Sequence, residues 1–295
     1  MGARRTAGVS LDRAFLGRTL LGRAVFGRAF FGLLLALAAV VPATPARAAE
    51  DCFIATDLDT GRVLAKQGLC ATRHPPASTF KIALALMGYD AGLLKSETQP
   101  VFSPPAGETP EREAARGPQT PLSWMRNSVV WYSQILARDL GRERIAGYLK
   151  GFAYGNENMG GLQGEDEPLV RFWLSSSLRL SPREQIDFLR RMLKGTLPVS
   201  AEAVAATERL MAIEEQPAGW LVFGKTGTGY GRLADGGLDR GRPFGWFVGF
   251  ARKAAHTVVF VRFTALDIAA PEPLGPLARR QAIAILAPVL AAQAP

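Results

Sequence analysis

One stretch of the chain, residues 75–87, reads PPASTFKIALALM and predicts the centre of the fold. After two prolines, the residues from Ser78 to Met87 are apolar nearly all round, although Lys81 lies among them. A helix that is hydrophobic on every side is buried inside a domain, because a surface helix keeps one polar face. This stretch therefore predicts a central buried helix that begins close to Ser78.

Patterns on either side of this helix predict one sheet that is built from both ends of the chain. Asp59-Thr60-Gly61 is a turn signal, and the short apolar runs around it predict a β-hairpin within residues 52–66. Ser181, with Pro182 and Glu184 after it, predicts a capped helix start. The other predicted elements are helices at about 121–139, 142–150, 181–194, 200–213 and 275–291, and strands at 220–225, 245–251 and 257–264.

This order of elements places strands at both ends of the chain and helices in its middle. We therefore expect an α/β (α+β) fold in which a helical lobe, about 78–213, is inserted into a sheet lobe, about 49–77 and 214–295. The proline-rich residues 98–121 and the glycine-rich residues 229–245 predict two long surface loops. Residues 49–295 are thus expected to form a single catalytic domain.

The net charge of +9 is concentrated in the first 48 residues. Seven arginines and one aspartate give this segment +6, and only +3 remains for the rest of the chain. The apolar run at 29–41 is shorter than the roughly 20 residues that a membrane span needs. Residues 46–48 read Ala-Arg-Ala, which suits a signal peptidase, so 1–48 is predicted to be a cleaved signal peptide. The alternative is an uncleaved membrane anchor.

We expect export to the periplasm without a stable membrane anchor. The positions of the two cysteines agree with this expectation. Cys52 and Cys70 are equally distant from the turn at Gly61, so a hairpin would bring them opposite each other. An oxidising compartment would preserve a disulfide between them. The alternative is a pair of buried thiols, and the absence of a Cys-x-x-Cys pair argues against a zinc or redox site.

The chain has two histidines, His74 and His256, which argues against a site with several histidine ligands or a Ser-His-Asp triad. No metal site is therefore expected. Ser78 and Lys81 lie three residues apart, hence on one face of the predicted helix. A serine nucleophile needs a neighbouring base, and burial can lower the pKa of a lysine enough for its neutral amine to serve. Alone, this Ser-x-x-Lys spacing is a weak signal.

A second element, Lys225-Thr226-Gly227-Thr228, follows an apolar strand pattern. Such a strand end offers a cation, a hydroxyl and an uncrowded backbone edge that can pair with an amide-bearing ligand. It is equally compatible with a tight strand end that carries a solvated lysine. Together with Ser78 and Lys81, however, it resembles the paired motifs of the penicillin-recognising serine enzymes.

Three further segments lie between these motifs in the order Ser128-Val129-Val130, Tyr154-Gly155-Asn156 and Phe172-Trp173-Leu174. This ordered set is similar to that of the class D serine β-lactamases, the oxacillinase type, over nearly all of residues 52–290. The resemblance implies an antiparallel sheet flanked by helices, of the β-lactamase/transpeptidase type, and the hydrolysis of β-lactams through a serine acyl-enzyme. The implied partner is a small β-lactam substrate, and the chain would act as a monomer or a homodimer.

The resemblance also implies a role for each matched residue. Ser78 would attack the β-lactam carbonyl, and Lys81 would react with carbon dioxide, or bicarbonate, to give a carbamate that acts as general base. No other cofactor is implied. The other implied catalytic residues are Trp173 (donor to the carbamate), Ser128 (proton transfer to the leaving nitrogen) and Lys225 (beside Ser128). The implied substrate-binding residues are Val130 and Leu174 (pocket lining), Thr226 and Arg280 (carboxylate), and Gly227 and Thr228 (strand edge and oxyanion hole). Because Arg279 lies next to Arg280, the sequence does not decide which of the two arginines would bind the carboxylate.

Two other functions within the same superfamily remain open at this point. A penicillin-binding sensor would be acylated at Ser78 without turnover, but such sensors carry several membrane helices, and no second apolar run here reaches membrane length. A cell-wall D,D-peptidase usually has Ser-x-Asn where this chain has Ser128-Val129-Val130. A nucleic-acid-binding protein is disfavoured, because no basic cluster remains after residue 48.

Overall fold

Strands from both ends of the chain lie side by side in one antiparallel sheet. The computed structural model describes residues 50–107, 110 and 112–293, so the predicted signal peptide lies outside the described residues. The strands of this part are β1 (Glu50–Asp57), β2 (Val63–Gly68), β3 (Leu221–Arg232), β4 (Leu238–Lys253) and β5 (His256–Ala265). Their order in the sheet is β2-β1-β5-β4-β3, with every neighbouring pair antiparallel. The predicted fold class is confirmed.

Helices cover both faces of this sheet. Their bounds are α1 (Lys81–Asp90), α2 (Pro121–Asn127), α3 (Val130–Leu140), α4 (Arg142–Phe152), α5 (Pro182–Leu193), α6 (Ala201–Met211) and α7 (Leu274–Ala291). Helix α7 packs on one face through a stripe of small and aliphatic residues, namely Ala278, Ala282, Leu286 and Leu290. These residues recur every four positions, which places them along one side of the helix. The larger core lies on the opposite face and contains α1.

Helix α1 is the buried central helix that the sequence predicts. Every residue from Lys81 to Gly88 is buried, and a 3₁₀ turn at Ala77–Phe80 leads directly into it. Helix α5 also begins as predicted, because the Ser181 hydroxyl accepts from Glu184 N while the Glu184 carboxylate accepts from Ser181 N. Both confirmed predictions depend on local sequence signals.

The predicted disulfide between Cys52 and Cys70 is present, with the two Cα atoms 5.2 Å apart. The β1–β2 hairpin is less regular than a simple turn at Gly61 requires. A bulge between Ala55 and Thr56 shifts the register, so that Cys52 pairs with Gly68 and Cys70 lies two residues beyond it. The short step from Gly68 to Cys70 still brings the sulfur atoms together. In the part of the chain that is described, no helix is both long enough and apolar enough to cross a membrane.

Two predicted elements differ from the structure. The single helix predicted at 121–139 is wrong, because the chain breaks at Ser128 between α2 and α3. The long loop predicted at 229–245 is also wrong, since β3 and β4 continue through most of it. A Cβ atom on Gly229 would lie 2.2 Å from the ring of Phe244. Here glycine lets an aromatic ring lie over the strand, which is a packing role and not a loop signal.

Candidate active site

The 3₁₀ turn before α1 presents Ser78 at the surface of the core. Ser78 is partly exposed, whereas Thr79 and Phe80 beside it are buried. The Thr79 hydroxyl donates to Pro76 O at 2.7 Å and accepts from the buried amide of Gln185 at 3.1 Å. These bonds fix the turn from behind, so the Ser78 hydroxyl is held on its open side.

Lys81 lies one turn further along, with its amine 3.4 Å from the Ser78 hydroxyl oxygen. The side chain is only 1% exposed, and no carboxylate among the described residues pairs with it. Burial lowers the pKa of Lys81 well below its ordinary value, and the positive charges of Lys225 and Arg112 lower it further. The arrangement favours a neutral amine next to the Ser78 hydroxyl.

Ser128 meets Lys225 across the cleft between α2 and β3. Ser128 ends α2 in the left-handed conformation, with φ of 56°, and this break turns its side chain toward the sheet. The Lys225 amine donates to the Ser128 hydroxyl at 3.0 Å and to Thr226 O at 2.9 Å. A non-glycine residue in this region is strained by about 1–3 kcal/mol, and such strain is concentrated at functional sites.

Lys225 is also buried, which makes protein stability sensitive to its protonation. Burial, followed by the positive charges of Arg112 and Arg279, lowers the pKa of Lys225 to about 7. Between about pH 7 and about pH 10, an unfolded chain would bind a proton on this lysine that the folded chain does not. The free energy of unfolding should therefore rise with pH across that window.

Replacing Lys225 by methionine should remove this dependence. We expect Lys225→Met to be more stable than the wild type by up to about 4 kcal/mol near neutral pH, with the difference shrinking toward about pH 10. Urea unfolding at three pH values across the window measures it, with the exposed Lys95→Met as the matched control. A difference between Lys225→Met and the wild type that stays constant with pH would contradict this expectation.

Strand β3 packs closely against the Ser78 turn at Gly227. A Cβ atom there would lie 2.9 Å from Pro76 O and 3.1 Å from the Thr79 methyl carbon, so only glycine allows this contact. One residue later, the Thr228 hydroxyl accepts from Gly275 N at 2.9 Å, which ties β3 to the start of α7. The edge of β3 and the Ser78 turn thus form one cleft.

Trp173 forms the inner wall of the site beside Phe80, the residue before Lys81. Its ring stacks on Phe80, with ring centroids 5.2 Å apart, and its backbone oxygen accepts from Ala77 N. The indole is fully buried, yet its Nε1 has no hydrogen-bond partner among the described residues. A buried N–H group normally has a partner, so this donor can serve an acceptor that the described residues do not supply.

The structure brings Arg279, not Arg280, to the Lys225-Thr226 strand end. Arg279 lines a cavity of about 70 Å³ together with both residues and pairs with Glu215. Arg280 is half exposed and pairs with Glu272 away from this cavity. The two neighbours differ because a step of one position on helix α7 turns a side chain by about 100°. The geometry favours Arg279 over the predicted Arg280 as the carboxylate-binding residue, and that role stays a prediction.

The pocket-lining residues occupy different environments. Val130 is 36% exposed at the start of α3, whereas its neighbour Val129 is buried in the core. Leu174 is partly buried, directly after Trp173. Their assignment to the pocket stays a prediction.

Tyr154-Gly155-Asn156 supports the Trp173 region from behind. Tyr154 is fully buried, and a Cβ atom on Gly155 would lie 2.2 Å from Arg179 O. The Asn156 side-chain amide donates to Ser177 O at 2.9 Å, and its oxygen accepts from Arg179 N at 2.9 Å. This motif holds the chain after Trp173 in place.

Arg112 is a site residue that the sequence analysis missed. Its guanidinium donates to Ser128 O at 3.0 Å and also contacts Asn127 O, at the carboxyl end of α2. A cation stabilises this end of a helix because the last carbonyl groups carry partial negative charge. Arg112 comes from the proline-rich loop, where no motif marks it, so only the folded chain reveals it.

Comparisons with known proteins agree with this geometry. Residues 51–267 match the family model of the penicillin binding protein transpeptidase domain. β-Lactamase OXA-9 of Klebsiella pneumoniae is 38% identical over 235 residues, which are 78% of this chain and 86% of that protein. β-Lactamase OXA-1 of Escherichia coli is 36% identical over 241 residues, 80% of this chain and 84% of that protein. The crystal structure of the class D β-lactamase OXA-427 superposes with a TM-score of 0.76 at 41% identity, covering 81% of this chain and 98% of that one.

Proposed function

Because this chain belongs to the class D β-lactamases, serine hydrolases of the penicillin-recognising fold, we propose that it opens β-lactam rings through an ester on Ser78 and that it carries a carboxylated Lys81. One observation carries the proposal. The Lys81 amine is buried beside the Ser78 hydroxyl without a compensating carboxylate among the described residues. A charged amine in that position is costly, so the site favours a neutral, nucleophilic nitrogen.

The residues around Lys81 fit a carbamate on its nitrogen. The neutral amine attacks the carbon of carbon dioxide, a nitrogen–carbon bond forms and one proton is released to solvent. The buried Trp173 Nε1, which has no partner among the described residues, would donate to one carbamate oxygen. Such a group supplies a base that is anionic at neutral pH for both the acylation and the deacylation of Ser78.

The remaining residues have separable roles in the proposed reaction. Ser78 Oγ attacks the lactam carbonyl carbon, the ring carbon–nitrogen bond breaks, and the nitrogen takes a proton by way of the Ser128 hydroxyl. The Lys225 amine, 3.0 Å from that hydroxyl, can replace the proton. Backbone N–H groups of Ser78 and Thr228 would stabilise the oxyanion. Thr226 and Arg279 would hold the substrate carboxylate, since both lie at the cavity that Lys225 lines.

We further propose that residues 1–48 export the chain to the periplasm and that residues 49–295 act there as one catalytic domain. The arginine-rich start and the short apolar run support export. The disulfide between Cys52 and Cys70 supports an oxidising compartment.

Pre-steady-state kinetics with a chromogenic cephalosporin test this function. The proposal expects continued turnover, faster with added bicarbonate, and a covalent adduct on the peptide that contains Ser78 in acid-quenched mass spectra. A stoichiometric burst with no steady state would instead identify a penicillin-binding sensor. Turnover that is indifferent to bicarbonate, in enzyme first depleted of carbon dioxide, would contradict the carboxylation of Lys81.

A further inference from the structure

The backbone that follows Trp173 lies against the far end of β3, the strand that carries Lys225 and Thr226. We call residues 162–178 the Trp173 segment. Tyr230 N on β3 donates to the Ser175 hydroxyl at 3.1 Å, so the contact begins two residues after the tryptophan. Strand β3 therefore contacts both the cleft at Lys225 and Thr226 and the segment that carries Trp173.

Arg232, the last residue of β3, makes most of this contact. Its Nε donates to Ser175 O at 2.7 Å, and its Nη2 lies 3.3 Å from Leu174 O and 3.4 Å from the Glu165 carboxylate. Its Nη1 donates to Gly236 O at 2.7 Å, in the turn between β3 and β4. The planar guanidinium fork thus joins three separate pieces of chain, which a point charge such as lysine could not do in the same way.

The Trp173 segment has a strained backbone, and contacts within the segment hold it as well. Ser175 has a φ of 53°, a conformation that a non-glycine residue adopts only when its surroundings impose it. Glu165 accepts from Leu162 N at 3.0 Å and from the Ser176 hydroxyl, which places the acid inside the segment. The pairing of Arg232 with Glu165 therefore closes the segment onto the strand.

These contacts bear on Trp173 because they begin at the next residue. The Trp173 carbonyl oxygen accepts from Ala77 N at 3.1 Å, and on the amino side of the tryptophan Phe172 O accepts from Leu178 N at 2.9 Å. On the carboxyl side, the next two carbonyl oxygens, Leu174 O and Ser175 O, accept from Arg232. These bonds hold the backbone from which the buried indole stacks on Phe80.

We infer that Arg232 is a positioning residue for this enzyme: it fixes the Trp173 segment so that the indole N–H can hold the carboxylated form of Lys81. The inference rests on the carboxylation of Lys81 proposed above. Arg232 acts through Trp173, since its contacts are with backbone oxygens and Glu165. Without it, we expect Lys81 to lose carbon dioxide more readily while Ser78 stays in place.

The test compares the wild type with Arg232→Gln and with Arg240→Gln. Arg240 is an exposed arginine on the neighbouring strand β4 and makes a cation–π contact with Tyr230, so it is a matched control on the same hairpin. Each protein is titrated with ¹³C-bicarbonate, without substrate, and the carbamate signal of Lys81 is followed by NMR. Hydrogen exchange of residues 162–178 and the rate of deacylation are measured on the same samples.

For Arg232→Gln we expect the bicarbonate concentration at half-carboxylation to rise between about 10- and 100-fold, the cost typical of a misplaced site group. The rate of deacylation should fall in parallel and should return to the wild-type rate at high bicarbonate. Hydrogen exchange in the Trp173 segment should become faster. Arg240→Gln should match the wild type in all three. Arg232→Lys keeps the charge but loses the planar guanidinium, so its values should lie between those of the wild type and those of Arg232→Gln.

The outcomes separate this inference from the proposed function. If the wild type shows no carbamate signal, the carboxylation of Lys81 is wrong and the inference falls with it. If the wild type is carboxylated and Arg232→Gln reaches half-carboxylation at the same bicarbonate concentration, the inference alone is overturned. This holds even if hydrogen exchange is faster in the variant. If Arg232→Gln does not fold, the same three measurements are made on Glu165→Gln. This variant removes the charged partner but keeps the arginine, and the same results are expected of it.

Discussion

Replacing Lys81 by alanine should trap the acyl-enzyme. We expect deacylation to slow by roughly 10²- to 10⁴-fold, the contribution of a well-placed general base, and acylation to slow less. The reason is that the proposed Ser78 ester would need a water molecule with a base beside it, and Lys81 is the ionisable residue one helical turn from Ser78. Stopped-flow acylation and quenched mass spectrometry of the adduct measure the two steps separately.

The controls for Lys81→Ala address packing and charge. Lys81 is buried, so alanine leaves a cavity, whereas Lys81→Met keeps nearly the same volume and should trap the adduct equally well. Lys150→Ala removes an exposed lysine of α4 and should leave both rates unchanged. Added bicarbonate should speed the wild type and leave Lys81→Ala unaffected. Wild-type deacylation rates in Lys81→Met would show that another group is the base.

The elements that could be predicted from the sequence are those with local causes. Helix α1 follows from a continuous apolar run, and the start of α5 from the Ser181–Glu184 capping box. The disulfide is predicted from two cysteines that flank one turn, and it forms although the hairpin pairs Cys52 with Gly68 and not with Cys70. Each of these signals lies within about twenty residues, so the chain itself carries them.

The active-site features that were missed depend on contacts between distant segments. Periodicity predicts one helix across 121–139, because the sequence around Ser128 contains no glycine or proline to signal the break. The break is maintained by tertiary contacts: Arg112 covers the carbonyl groups on one side, and the Lys225 amine takes the hydroxyl on the other. Tertiary structure here overrides local preference.

The choice between Arg279 and Arg280 could not be made from motifs alone. Both arginines lie on α7, and which one faces β3 depends on the rotation of the helix about its axis. That rotation is set by Ala278 and Ala282, which are fully buried against the sheet. Arg279, next to Ala278, therefore reaches the edge at Thr226, while Arg280 turns outward to Glu272.

Adding a single methyl group at Gly227 should damage the active site more than the fold. In Gly227→Ala the new Cβ would meet Pro76 O at 2.9 Å, and backbone oxygen cannot move aside as the end of a flexible side chain can. Strand β3 must therefore separate from the Ser78 turn. We expect acylation to fall by about 10²-fold, the loss that a displacement near 1 Å can cause, and stability to fall by about 1–3 kcal/mol.

The separation should affect particular steps, because Gly227 precedes Thr228 and packs against the Ser78 turn, and these two elements carry the proposed oxyanion donors. The N–H groups of Ser78 and Thr228 would no longer converge on one oxygen, so the acylation rate should fall at every bicarbonate concentration. The Lys81 carbamate signal should stay at its wild-type strength, since the atoms nearest to the added Cβ belong to Pro76 and Thr79 and not to the Phe80–Trp173 stack. Gly147→Ala, with nothing within 4 Å of the added Cβ, is the matched control and should keep full activity. Acylation within threefold of the wild type in Gly227→Ala would mean that β3 can shift without cost, and the close approach of strand to nucleophile would then be a consequence of packing and not a requirement of the chemistry.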